Sequence, residues 1–237
     1  MANEAFKAKV KLEVIFAMAP AHLIHRADVS VIAMPGEAER LATAYAPARL
    51  KARFAALLAL DGVLGRVALA AREPLPAQLK LAWWREACAR LPDAREHPVL
   101  AALAASWTAG PAPLVALIDA WEEIAVAEPR FADAAEAVAR ARGVTLALCA
   151  GEDEAPAREA ARVWTLATLA EHAPDAAQRA RMRAVARLVP PRRLPRALRP
   201  LAVLEGLARR ALAADRALLL GDRWSPLAAV RLGIFGR

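Results

Sequence analysis

From Glu37 onward, apolar residues recur at three- and four-residue spacings, and prolines and glycines interrupt the pattern at helix-length intervals. The stretch EAERLATAYAPARLKARFAALLALDGVLGRVALAA predicts a short helix, a break at Pro47 and a long helix. Pro74 and Pro76 open the next, where missing N–H groups cost least, and it runs from about Leu75 to Leu91. His97-Pro98 starts PVLAALAASW, closed by Gly110, Pro111 and Pro113, and LVALIDAWEEIAVA stops at Pro129. FADAAEAVARARGVTLALCAG reaches Gly151 with a predicted kink at Gly143, and APAREAARVWTLATLAEHA reaches Pro174. AAQRARMRAVARLV ends at Pro190-Pro191, and RALRPLAVLEGLARRALAADRALL completes the body before Gly221. No strand-like alternation, internal repeat or long linker interrupts this succession. The expectation is an all-α protein, a single helical bundle over residues 37–237.

Within the helix REPLPAQLKLAWWREACARL, Trp83 and Trp84 stand side by side. Adjacent helical positions lie about a hundred degrees apart, so a single core stripe does not accept both. This predicts a helix in the middle of the bundle, packed on two sides. Gln78, Lys80, Arg85 and Glu86 then pair within the domain or face a polar pocket. Trp107, Trp121 and Trp164 recur at spacings that suit core filling, and Trp224 falls in a closing loop.

Composition strengthens the helical reading: the chain is 58% hydrophobic and dominated by Ala, Leu and Arg, which lose little on entering a helix. Its 237 residues suffice for one sizeable core. The formal charge of +8 is concentrated: ten arginines lie between Arg179 and Arg210 against the single acid Glu205. Such a segment invites an anionic partner, either a membrane surface or an acidic protein patch. Nucleic acid is disfavoured because the segment has no aromatics on which bases could stack. Cys88 and Cys149 are far apart and have no metal-site spacing, so both read as core residues in a reducing compartment.

The first 36 residues read as an extension. They begin basic and become apolar in the manner of a signal peptide, but Glu13 opens the apolar stretch. His22, His25, Arg26 and Asp28 cut that stretch well short of the roughly 20 apolar residues of a membrane span.

The segments ALLALDGVLGRVALAAREPLPAQLKLAWWREACARL and HPVLAALAA resemble the squalene/phytoene synthase family. The most specific element is the block Q-x-x-L-x-W-W-R-E from Gln78 to Glu86. ARGVTLALCAG, WTLATLAEH and LPRALRPLAVLEGLARRAL resemble later helices of that family, so the likeness covers about Leu41 to Leu232. It implies the isoprenoid-synthase fold. In catalytic members it also implies head-to-head condensation of two prenyl diphosphates held through Mg²⁺ by two facing acidic clusters. Carboxylates spaced three and four apart on one helical face share such ions.

The chain departs from that pattern at the first acidic motif, where Gly65, Arg66 and Leu69 occupy the acid positions and Asp61 is a lone carboxylate one turn earlier. The second cluster is echoed by Glu171 and Asp175. Glu152, Asp153 and Glu154 suit a helix start instead. Asp119, Glu122 and Glu123 form no metal site by themselves, and His97 reads as a helix-entry residue.

Two readings follow. In the first, the chain is a degenerate member that has lost catalysis and binds a prenyl lipid or a protein partner at a membrane surface, as an assembly factor does. The candidate ligand-binding residues are Asp61, Arg66, Gln78, Trp84 and Arg85, and the expected location is the cytoplasm or the inner-membrane surface. In the second, it is an active Mg²⁺-dependent prenyltransferase with altered ligands: Glu171 and Asp175 on the metal, Arg66 and Arg85 on the diphosphate.

Overall fold

The computed structural model describes residues 36–70, 73–91, 93–94, 97–127 and 130–236. The expected N-terminal extension lies, but for Gly36, outside the described residues. The fold is all-α, with no strand among the described residues. Among the described residues ten α-helices follow one another: α1 Glu37–Thr43, α2 Ala48–Leu69, α3 Pro74–Ala89, α4 Pro98–Ser106, α5 Ala112–Ala125, α6 Phe131–Ala150, α7 Glu154–Leu169, α8 Ala176–Leu188, α9 Arg199–Ala213 and α10 Ser225–Phe235. Prolines at the first helical positions open α3, α4, α5, α9 and α10, as their fixed φ and missing N–H favour.

The interior helix is α6. It packs against α2, α5, α7 and α8, and its buried residues include Phe131, Ala135, Val138, Arg142, Leu146 and Cys149. The predicted kink at Gly143 is absent, and α6 runs unbroken to Gly151, whose φ of 69° closes it in the left-handed conformation. Gly143 serves close packing instead: a Cβ there would lie 2.6 Å from the Arg158 Cα on α7.

α3 is not the interior helix that the tryptophan pair predicted. It packs chiefly on α5 and, less, on α2, through one stripe of Ala77, Leu81, Trp84 and Cys88. Trp84 is buried in that stripe, whereas Trp83 is only half-buried beside it. The two rings meet edge to face, 5.0 Å between centroids, and His97 meets Trp84 in the same edge-to-face manner at 4.8 Å. His97 Nδ1 also accepts a hydrogen bond from the Val99 N–H at 3.1 Å, capping α4. The pair is thus an aromatic joint between α3 and the start of α4.

Arg53 on α2 ties two further helix ends, donating to Ser106 O at 2.9 Å and Cys149 O at 3.3 Å. A cation there complements the negative ends of α4 and α6. Cys88 and Cys149 are fully buried, and burial pushes both thiols up to about 12.

The segment after Gly221, read from sequence as a closing loop, contains α10. Leu232 fills the space above Gly206 of α9, and the Tyr45 ring lies against Gly233, leaving no room for a side chain at either glycine. Asp222 organises the turn before it. One oxygen accepts from the Trp224 N–H at 2.7 Å and the Ser225 hydroxyl at 3.1 Å, and the other from Arg216 and, at 3.3 Å, Arg210. The Arg216 guanidinium and these hydrogen bonds hold the Asp222 carboxyl well below the usual carboxylate range.

Two predictions follow. Gly→Ala in a free helix interior stabilises by about 1 kcal/mol, but overpacking against backbone costs about 1–3 kcal/mol. Gly143→Ala should therefore lower the denaturant midpoint, and a raised midpoint would show that the α6–α7 crossing has slack. A depressed folded-state pKa stabilises fully above the unfolded value, about 3.9, and the contribution is lost as pH falls. The contribution of Asp222 should begin to fall below about pH 4. The α10 turn should be released only well below that, as pH falls through the depressed folded-state pKa, read as a change in Trp224 emission before far-UV helicity is lost. Asp222→Asn should show that emission at neutral pH. Identical emission in wild type and variant would refute the role given to Asp222.

Candidate functional site

Asp61, the lone carboxylate one turn before the first motif's acid positions, is buried at 4% exposure in the middle of α2. A charge at such a depth requires a partner. Arg142, equally buried on α6, supplies it in a two-pronged arrangement: Nε donates to Oδ1 at 3.0 Å, and Nη2 lies 2.9 Å from Oδ2. The Trp121 indole N–H of α5 donates to the same Oδ1 at 2.9 Å, and the remaining Arg142 nitrogen donates to Thr165 Oγ1 of α7 at 3.0 Å. Above and below, the guanidinium meets the rings of Trp164 at 4.1 Å and Trp121 at 5.1 Å from their centroids. Gly65 permits this by leaving space for the Trp121 ring, which would stand 3.0 Å from a Cβ there.

Two buried opposite charges on separate helices thus close on each other, with two indoles against the guanidinium. The carboxylate accepts two hydrogen bonds, from Arg142 Nε and from the Trp121 indole, and its second oxygen lies against Arg142 Nη2. It is placed to hold helices together, not to receive a proton from a substrate or to ligate an ion. Glu39 on α1 lies close enough to sense the charges of Arg142 and Asp61, and burial pushes its carboxyl up.

The other sequence-selected residues are dispersed. Arg66 is exposed; burial of part of its guanidinium lowers its pKa while the charge of Glu39 opposes this. Gln78 is half-buried on α3, and Trp84 fills the α3 stripe. Arg85 clamps α3 to α5, donating to Asp119 Oδ1 at 2.6 Å and to Glu122. Burial pulls its pKa down, and these two acids more than offset that. Asp119 and Glu122, which formed no site by sequence, therefore have this ionic role.

Glu171 and Asp175 do not act together. Glu171 sits on the short 3₁₀ turn Ala170–His172 and pairs with Arg183 of α8 at 2.9 Å. Asp175 caps α8, accepting from the Gln178 N–H at 2.7 Å, a contact that lowers its pKa. Among the described residues, no group of three or more His, Cys, Asp or Glu side chains is placed to hold a metal ion. The residues present do not fit the Mg²⁺ sites that the family resemblance implies.

Sequence reading missed Arg142 and Thr165. A signal was present: Val138, Arg142 and Leu146 fall four apart on the buried face of α6, so an arginine occupied a core register. Arg140, two residues earlier, is exposed on the same helix. Comparison with known proteins returns no match to this chain among family models, curated proteins or solved structures.

Removing one partner of a buried ion pair costs about 3–5 kcal/mol, while neutralising both costs far less. Arg142→Met and Asp61→Asn should each lower unfolding free energy by about that amount, and the double variant should recover most of it, giving a large coupling in a double-mutant cycle. Single variants within about 0.5 kcal/mol of wild type would remove the pair from its central place.

Proposed function

We propose that this chain is a catalytically silent helical scaffold of squalene/phytoene synthase type, which binds a lipid or a protein partner at an anionic membrane surface. The observation that carries the proposal is the closure of Asp61 by Arg142. A prenyl-diphosphate synthase needs carboxylates open toward a cavity, where divalent ions bridge them to phosphate oxygens. Here the lone carboxylate near the first motif is neutralised by a guanidinium, Arg85 is occupied by Asp119 and Glu122, and the two acids that echo the second motif serve a salt bridge and a helix cap.

The surface role is supported by the charge distribution, with a formal +8 concentrated in the last third of the chain. No helix among the described residues is long and apolar enough to cross a membrane, so the proposed association is peripheral. Exposed Trp224, Leu227, Ile234 and Phe235 on and beside α10 provide apolar contact next to that basic segment.

Two assays test this reading. Purified protein incubated with Mg²⁺ and farnesyl or geranylgeranyl diphosphate should release no pyrophosphate above background; Mg²⁺-dependent release would establish the transferase reading instead. The protein should sediment with vesicles containing phosphatidylglycerol and not with phosphatidylcholine alone. Binding should fall steeply in about 1 M salt, where the Debye length is about 3 Å. Indifference to both vesicle types would discard the membrane role.

A further inference from the structure

The arginine-rich segment is less free than its sequence implies. Arg181, Arg183, Arg192, Arg209 and Arg210 pair with Asp133, Glu171 and Asp215, Glu159, Glu205 and Asp222 respectively. Arg179 donates to Ala170 O at 3.2 Å and Arg187 to Leu212 O at 2.8 Å. Three arginines remain, Arg193, Arg196 and Arg199, and among the described residues none of them has an acidic partner.

Arg199 is the unusual member. It opens α9, is nine-tenths buried, and its Nη1 is out of contact with solvent and without a hydrogen-bond acceptor. A buried guanidinium nitrogen left without an acceptor is costly. Its surroundings aggravate that cost: burial first, then the like charges of Arg193 and Arg196, pull its pKa down. Gly236, at φ +73°, lies against the guanidinium so closely that no Cβ could be accommodated. Even beside this C-terminal end of α10, Nη1 meets no carbonyl.

The residue lines a cavity of about 480 Å³ together with Tyr45, Arg196, Gly233 and Ile234. None of these five side chains carries negative charge, and two are guanidiniums. The planar fork of arginine matches the oxygens of a phosphate group in pairs.

We propose that this cavity is a binding site for a phosphate-type oxyanion, with Arg199 as its buried donor and Arg196 and Arg193 as its outer cations. The anion supplies an acceptor to the part of the Arg199 guanidinium that lines the cavity and relieves the repulsion among three like charges. It is a free phosphate or the headgroup phosphate of a lipid, and the exposed side chains of Ile234 and Phe235, each 58% exposed beside the cavity, suit an acyl chain as neighbour. The site itself does not depend on the interior being silent; its lipid arm rests on the membrane role proposed above.

The test uses the whole chain in two arms. In the first, inorganic phosphate is titrated at constant ionic strength against chloride, and the melting temperature is followed; a ligand of the folded state raises it. Wild type and Arg140→Gln, an exposed control on α6, should be stabilised equally. Arg199→Met should bind phosphate at least about tenfold more weakly, and Arg196→Gln about threefold more weakly. Arg196 is exposed, so its variant keeps the test valid even if Arg199→Met folds poorly.

In the second arm the same proteins are sedimented with phosphatidylglycerol vesicles. Loss of binding in both cavity variants assigns the site to a headgroup. Phosphate stabilisation that depends on Arg199 and Arg196, without vesicle binding by wild type, keeps the site with a soluble ligand and removes the membrane role. Wild-type vesicle binding that survives both substitutions, with no phosphate effect, overturns the site and leaves the membrane role standing.

Discussion

The fold depends on a buried charge pair that ties four helices at one point. Asp61 of α2 and Arg142 of α6 satisfy each other, Trp121 of α5 donates to the carboxylate, and Thr165 of α7 accepts from the guanidinium. Neither charge tolerates isolation at this depth, so each fixes the register of the helix that carries it. An alanine- and leucine-rich bundle needs such a device. Small apolar side chains pack acceptably in several relative rotations, and only directional bonds distinguish among them. The indoles of Trp121 and Trp164 enclose the guanidinium, so the volume at the centre is occupied as well as neutralised.

Charge elsewhere follows the same rule of local closure. Arg85 is held by two acids of α5, and Arg162 of α7 meets Glu136 of α6 through several hydrogen bonds. The segment from Arg179 to Arg210, which in sequence reads as a uniform basic surface, resolves into arginines held by acids or carbonyls and a group of three around Arg199 without an acidic partner among the described residues. This separation bears on the choice of partner. A smeared positive face attracts any polyanion, whereas a buried guanidinium beside a cavity selects a ligand small enough to enter it.

The helical course was legible in the sequence because proline at helix starts and glycine at helix ends carry their own conformational reasons. What was not legible was mainly relational. Gly143 breaks the helical propensity of its segment, which suggests a kink; its actual cause is the Arg158 backbone, a contact made by a residue fifteen positions away. The Trp83–Trp84 pair implied two packed faces, yet one ring covers the other's edge and His97, which the helix period alone does not encode. α10 was hidden because glycines at 233 and 236 and several exposed apolar residues blur its periodicity. For the site, sequence singled out Asp61 as a lone carboxylate but not the arginine that answers it, since opposite charges 81 residues apart carry no local sign of their pairing.

The closure of Asp61 also explains why a lone carboxylate in this core is no evidence of a metal site. A divalent ion at this position would have to displace a guanidinium that makes two contacts with the carboxylate and is enclosed by two indoles. Expelling Arg142 would leave its own charge buried among Trp121, Trp164 and Thr165, at a cost of several kcal/mol. A lone carboxylate offers an incoming cation too few ligands to offset that, because Mg²⁺ requires six oxygens in near-octahedral order and gives up water reluctantly. Conversion to a metal site would therefore require replacing Arg142 and rebuilding a second carboxylate near Gly65 or Leu69. Neither change is a small perturbation of the core as it stands. The pair uses its acid for cohesion, which leaves the unpartnered guanidinium of Arg199, at the edge of a cavity, as the unsatisfied charge that the proposed anion would answer.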